Sequence, residues 1–226
     1  MRTDATVRYL RTAAVLLGAG MVTIRAAIKN DRNAIALSIF PVLFGLHQIT
    51  EGLIWHFSAT GQDLGVLSHI YIYVAFLLWP ITIPIASILA EKYKQRRLLL
   101  AIPALTGVFV TFYSGWQLLL TNGIDVLMVG HSLRYQVNYE DMPGIWLNYL
   151  YAFSVVVPLI LNSRKMIKVF GLSVLSACVF SFVMLREVYF SVWCIMSAWL
   201  SLLIYFTIER TDSRVVWNSK ESDATR

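Results

Sequence analysis

Seven apolar blocks, most of them near the length that crosses a bilayer, follow one another with only short polar breaks. No other feature constrains the fold as strongly, because about 20 apolar residues in helical form span a hydrocarbon core. The blocks run over residues 9–28, 34–57, 64–90, 98–121, 145–161, 167–186 and 188–208. Inside a bilayer the backbone must satisfy its own hydrogen bonds, so each block is expected to be a helix. The composition agrees: 58% of residues are hydrophobic and 14% charged, with a mean hydropathy of +0.64. Soluble domains carry about 25% charged residues. The expected fold is an all-α transmembrane bundle of seven helices over residues 1–209, with a short polar tail at 210–226. The first block follows a basic start, as a signal peptide would, but no small-x-small cleavage site precedes a polar stretch. It is therefore read as a helix of the bundle.

The net charge of +6 is distributed in a way that argues against nucleic acid as a partner. Lysine and arginine cluster in the breaks, as in "EKYKQRR" (91–97) and "NSRKMIK" (162–168). Such juxtamembrane clusters orient spans and face anionic lipid. With seven spans, the clusters at 29–32, 92–97 and 164–168 and the tail all fall on one side. "SATGQD" (58–63) and the 122–144 connector, whose single basic residue is Arg134, fall on the other. This bias predicts an N-terminus outside and a C-terminus in the cytoplasm, although Arg2, Arg8 and Arg11 oppose it mildly. The two cysteines, Cys178 and Cys194, lie inside apolar blocks without CxxC spacing and read as small residues at helix contacts.

The 122–144 connector is too long for a simple turn. Within it "LRYQVNY" (133–139) alternates strictly, with Leu133, Tyr135, Val137 and Tyr139 set against Arg134, Gln136 and Asn138. Period-two alternation marks a half-buried strand. "DVLMV" (125–129) supplies a partner strand, and Gly130, His131 and Ser132 the turn. A small β-hairpin between the fourth and fifth helices is expected to lie over the outer face as a lid.

The unusual chemistry sits in "FPVLFGLHQITEGLIWHF" (40–57). Each helical residue advances by about 100°, so His47, Glu51 and Trp55 share one face and Gln48 sits beside Glu51. His56 points away at the end of the span. Ionisable residues inside a bilayer are costly, face a bundle interior or a water-filled cavity, and are functional candidates by default. His69, with Tyr73 one turn deeper, and His131 and Glu187 lie at the same outer level. Three readings compete. The set is an interhelical hydrogen-bond cluster. It is a pocket for a small polar ligand or proton, built from His47, Gln48, Glu51, His69, Tyr73, His131 and Glu187. Or it is a zinc, iron or haem site using His47, Glu51, His69 and His131, in which Glu51 becomes a ligand or the general base of a hydrolase.

The remaining features point to packing. Small residues run along 171–181 and through Ser191, Cys194, Ser197, Ala198 and Ser201, which predicts a close seam between the last two helices. Pro80, Pro84, Pro103 and Pro158 are expected to kink their helices. Every lysine lies in a loop or tail, which leaves no intramembrane Schiff-base lysine. There is no His-Glu-x-x-His, Gly-x-Ser-x-Gly or phosphate loop. Any output would pass through protein partners that the sequence does not identify.

The stretches "FPVLFGLHQITEGLIW" (40–55), "SRKMIKVFG" (163–171) and "SVWCIMSAWLSLLIY" (191–205) resemble an uncharacterised family of prokaryotic multi-pass membrane proteins. The resemblance runs from the second span to the seventh. It implies a bacterial or archaeal cytoplasmic-membrane protein and assigns no activity, cofactor or functional residue.

Overall fold

The computed structural model describes residues 2–60, 62, 64–121, 123–129, 132–138, 144–184, 188–206 and 208. Helix α1 (Arg2–Asn30) leads through a short 3-10 turn (Arg32–Ala34) and a single helical turn, α2 (Ile35–Ser38), into α3 (Phe40–Thr60). Next come α4 (Gly65–Tyr73), a π-helical turn (Val74–Leu78), α5 (Trp79–Ala90) and α6 (Lys94–Leu119). The hairpin strands β1 (Ile124–Val129) and β2 (Ser132–Val137) precede α7 (Trp146–Leu161), α8 (Lys165–Met184) and α9 (Tyr189–Leu200). Each of the seven apolar blocks is helical over most of its described residues. Among the described residues five stretches are long and apolar enough to cross a membrane: Asp4–Asn30, Arg32–Ser58, Gly65–Ala90, Lys94–Leu119 and Lys165–Met184. Trp146–Leu161 and Ser191–Phe206 fall short of that length. The expected tail, 210–226, lies outside the described residues.

Proline chemistry shapes the centre of the third block. Pro80 has no N–H to donate, and just before it the helix widens to the π form, which loosens the regular pairing of its carbonyls. Side chains of neighbouring helices step in. The Tyr151 hydroxyl donates to the Ala75 carbonyl at 2.7 Å, and the Thr111 hydroxyl donates to that of Leu77 at 3.1 Å. The disturbance predicted at Pro80 is therefore a π turn re-satisfied from α6 and α7. Pro84, Pro103 and Pro158 lie within α5, α6 and α7.

At the end of the bundle opposite the hairpin, the helix termini are clasped together. Arg164 donates to the Ala90 carbonyl at 2.7 Å through Nε and pairs with Asp31 through Nη1. Glu91, 1% exposed, accepts from the Ser163 N–H and hydroxyl at 2.6 Å each and from the Tyr93 N–H at 2.9 Å. Arg97 donates to the Glu91 carbonyl at 2.8 Å. Burial pushes the Glu91 carboxyl up, but the donors on Ser163 and the Tyr93 N–H outweigh it and hold it below the ordinary carboxylate range. A depressed folded value means that Glu91 contributes stability above its unfolded pKa, about 4.3, which is lost as pH falls from there through the folded value. The thermal midpoint of the wild type is expected to fall more steeply below about pH 4 than that of Glu91→Gln, which lacks this titration.

The hairpin forms as the alternation predicts, one residue earlier on each strand. Ile124 pairs with Val137, Val126 with Tyr135 and Met128 with Leu133. These side chains turn inward, and Leu133 is fully buried, while Asp125, Leu127, Arg134 and Gln136 face out. The Thr121 hydroxyl donates to the Asn138 carbonyl at 2.8 Å and closes the base. The turn residues Gly130 and His131, and Tyr139, are outside the described residues. β2 packs on α9 and β1 on α4, so the hairpin covers this end of the bundle.

Candidate functional site

The polar stripe of α3 faces the bundle interior. His47 is 2% exposed, and Gln48 and Glu51 are fully buried. Four other elements close around them. From α9, Ser191 donates a hydrogen bond to Glu51 Oε1. From α1 and α4, the Tyr9 and Tyr71 hydroxyls are directed at the same carboxylate; only Ser191 meets full hydrogen-bond geometry. Gly52 leaves room for the close approach of α1, since a Cβ there would stand in tight contact, 3.3 Å, with Tyr9 Cβ. From β2, Tyr135 comes down over Tyr71.

Three rings form a continuous stack that joins the hairpin to α3. His47 lies against Tyr71 with centroids 4.1 Å apart and planes 22° apart, and Tyr71 lies against Tyr135 at 4.1 Å and 7°. Burial, and after it the Glu51 charge, push the Tyr135 phenol well above its ordinary pKa, so it remains a hydroxyl donor. Cys194, one turn beyond Ser191, is buried close to Tyr71 and Glu51.

Two residues expected in the pocket are elsewhere. His69 Nδ1 lies 2.6 Å from the Gly65 carbonyl, one turn back on its own helix, and its ring meets Tyr73 edge-on at 5.9 Å. Tyr73 is 36% exposed. On a helix, residues two apart differ by about 200°, so the buried Tyr71 takes the inward place and His69 and Tyr73 turn away. His131 and Glu187 lie outside the described residues. His56 is exposed and packs edge-on to Phe57, off the stripe as its angle requires. Among the described residues no group of three His, Cys, Asp or Glu side chains is placed to hold a metal ion. The set His47, Glu51 and His69 therefore does not assemble.

The members that sequence reasoning missed are the tyrosines. Tyr9 lies on a buried line of α1 with Ala5, Ala13 and Leu16, a period legible in the sequence. Tyr71 follows from the phase of α4 once Ser68 and Ile72 are seen to be buried on the same side. Tyr135 was legible as an inward hairpin residue but not as the roof of the site.

What distinguishes this locus is the number of buried polar atoms without a protein partner. Among the described residues, both ring nitrogens of His47, both amide atoms of Gln48, Oε2 of Glu51 and the hydroxyls of Tyr71 and Tyr135 have no partner in full hydrogen-bond geometry. Native proteins leave few such atoms, and each costs about 1–3 kcal/mol. The set mixes acceptors (Gln48 Oε1, Glu51 Oε2, one His47 nitrogen) with donors (Gln48 Nε2, the tyrosine hydroxyls, the other His47 nitrogen). A guest that both donates and accepts hydrogen bonds would satisfy it.

Residues 4–219 match a family described as "Family of unknown function (DUF6629)". No curated protein and no solved structure matches the chain. With almost its whole length inside the match, the chain belongs to this family of unknown function.

Proposed function

We propose that this is a seven-span protein of a prokaryotic cytoplasmic membrane that binds a small polar ligand, or a proton, in a pocket centred on Glu51. Trp146–Leu161 and Ser191–Phe206 serve as the two remaining spans, shortened or tilted against their neighbours. The N-terminus and hairpin face outward and the basic end faces the cytoplasm, as the distribution of lysine and arginine favours. His47, Gln48 and Glu51 bind the guest, Tyr71 and Tyr135 add donors, and the hairpin roofs the site.

One observation carries the reading: of the twelve buried polar atoms without a hydrogen-bond partner among the described residues, seven lie at this one locus. A cluster that serves only as interhelical glue would satisfy its own atoms. Native mass spectrometry of protein released gently from its membrane tests the proposal. The wild type is expected to carry an adduct of small-molecule mass that is lost in Glu51→Gln and Gln48→Leu. Release of the wild type without an adduct, together with a pH-independent infrared signature of Glu51, would remove both forms of the proposal.

A further inference from the structure

A cavity of about 30 Å³ lies in the middle of the bundle, ringed by α3, the π turn with α5, α7, α8 and α9. Its lining is almost wholly apolar and includes Phe44, Ala75, Trp79, Val155 and Trp193. It adjoins the polar site by helical register. Phe44 lies three residues before His47, Ala75 four after Tyr71, and Cys194 three after Ser191. Three separate helices thus each carry a residue of the polar layer and, one turn or about 5 Å along, a wall of the cavity. The Ala75 wall belongs to the π turn, where the helix is widened.

From this stacking we infer that the pocket takes a small uncharged amphiphile, with its hydrogen-bonding head among His47, Gln48, Glu51 and Tyr71 and its apolar end in the central cavity. The inference rests on the binding role proposed for the polar site and adds the class of ligand. The head must donate and accept, as a hydroxyl or primary amide does, because the orphaned atoms are of both kinds. One water-sized group needs about 10–15 Å³ of such space, so the cavity admits an apolar part of only about two or three carbon atoms. A purely polar guest would leave the apolar layer empty. A purely apolar one would leave the orphaned atoms unsatisfied.

Propane, n-propanol and glycerol share one carbon frame and separate these cases. Binding is read in lipid nanodiscs from the emission of Trp79 and Trp193, with a Trp79→Phe/Trp193→Phe variant as the blank. The expected result is a saturable shift with n-propanol, at an affinity at least about tenfold above that of propane or glycerol. Gln48→Leu should bring n-propanol down to the level of propane. Val155→Phe, which fills the cavity, should abolish the responses to propane and n-propanol. Ser197→Leu fills it from α9 and gives the same reading should Val155→Phe fail to fold. Glycerol binding as tightly as n-propanol, undiminished by either filling variant, would overturn the amphiphile and leave the polar pocket standing. The absence of saturable n-propanol binding would also overturn it, whatever adduct the protein carries.

Discussion

Asp31→Ala is expected to cost about 3–5 kcal/mol, among the largest single-residue effects in the molecule, because it strands the Arg164 guanidinium in a buried position. The two side chains are 7% and 8% exposed. Arg164 also holds the Ala90 carbonyl, and its backbone N–H donates to Asn162 Oδ1 at 3.0 Å. The pair therefore ties the end of α1 to the ends of α5 and α7. Reversible unfolding in mixed detergent measures the loss. Breaking a buried pair differs from replacing it, so Asp31→Ala/Arg164→Leu should recover most of the stability lost by Asp31→Ala alone. Equal losses in the single and double variants would mean that the clasp is held by its backbone contacts and not by the ion pair.

Gly107→Ala is the second large effect, at about 2–3 kcal/mol destabilising. A Cβ at position 107 would stand 1.8 Å from the Pro80 carbonyl oxygen and 2.8 Å from its carbon. That carbonyl has no ordinary helical partner, because the residue four positions on is Pro84, which lacks an N–H. It points at α6 instead, and α6 meets it with a residue that has no side chain. The clash is with backbone, so α5 and α6 must separate. Gly115→Ala, on the same helix, is the control. Its nearest neighbour would be Leu77 Cδ2 at 3.7 Å, an ordinary contact. There, higher helix propensity should leave stability unchanged or raise it by about 0.5–1 kcal/mol. The same detergent unfolding assay reads both variants.

The legible parts of this fold were those encoded by local period. The apolar blocks identified the helices, and strict alternation in 133–137 identified a strand whose inward residues include the buried Leu133 and the half-buried Tyr135. The angle between His47 and Glu51 identified one buried face, and the odd angle of His56 removed it correctly. The illegible parts depend on phase or distance. His69 and Tyr71 differ by two positions on one helix, and only packing decides which points inward. A histidine draws attention as a ligand, while the residue that closes the site is a tyrosine stacked between two rings. Tyr9 reaches Glu51 from a helix more than forty positions away, and Arg164 reaches Asp31 across 133 positions. The π turn before Pro80 has no periodic signature, and its carbonyl partners, Tyr151 and Thr111, come from α7 and α6.

If the polar atoms of α3 await a guest and do not serve as glue, the ligand-free protein carries their cost, and its stability reveals it. Gln48→Leu keeps the volume and removes two buried atoms that lack partners, so unfolding of the stripped protein should show a gain of about 1–3 kcal/mol. Satisfied networks behave in the opposite way. A loss of about 1–3 kcal/mol in Gln48→Leu would show that the amide is already paired within the bundle and that the cluster is glue.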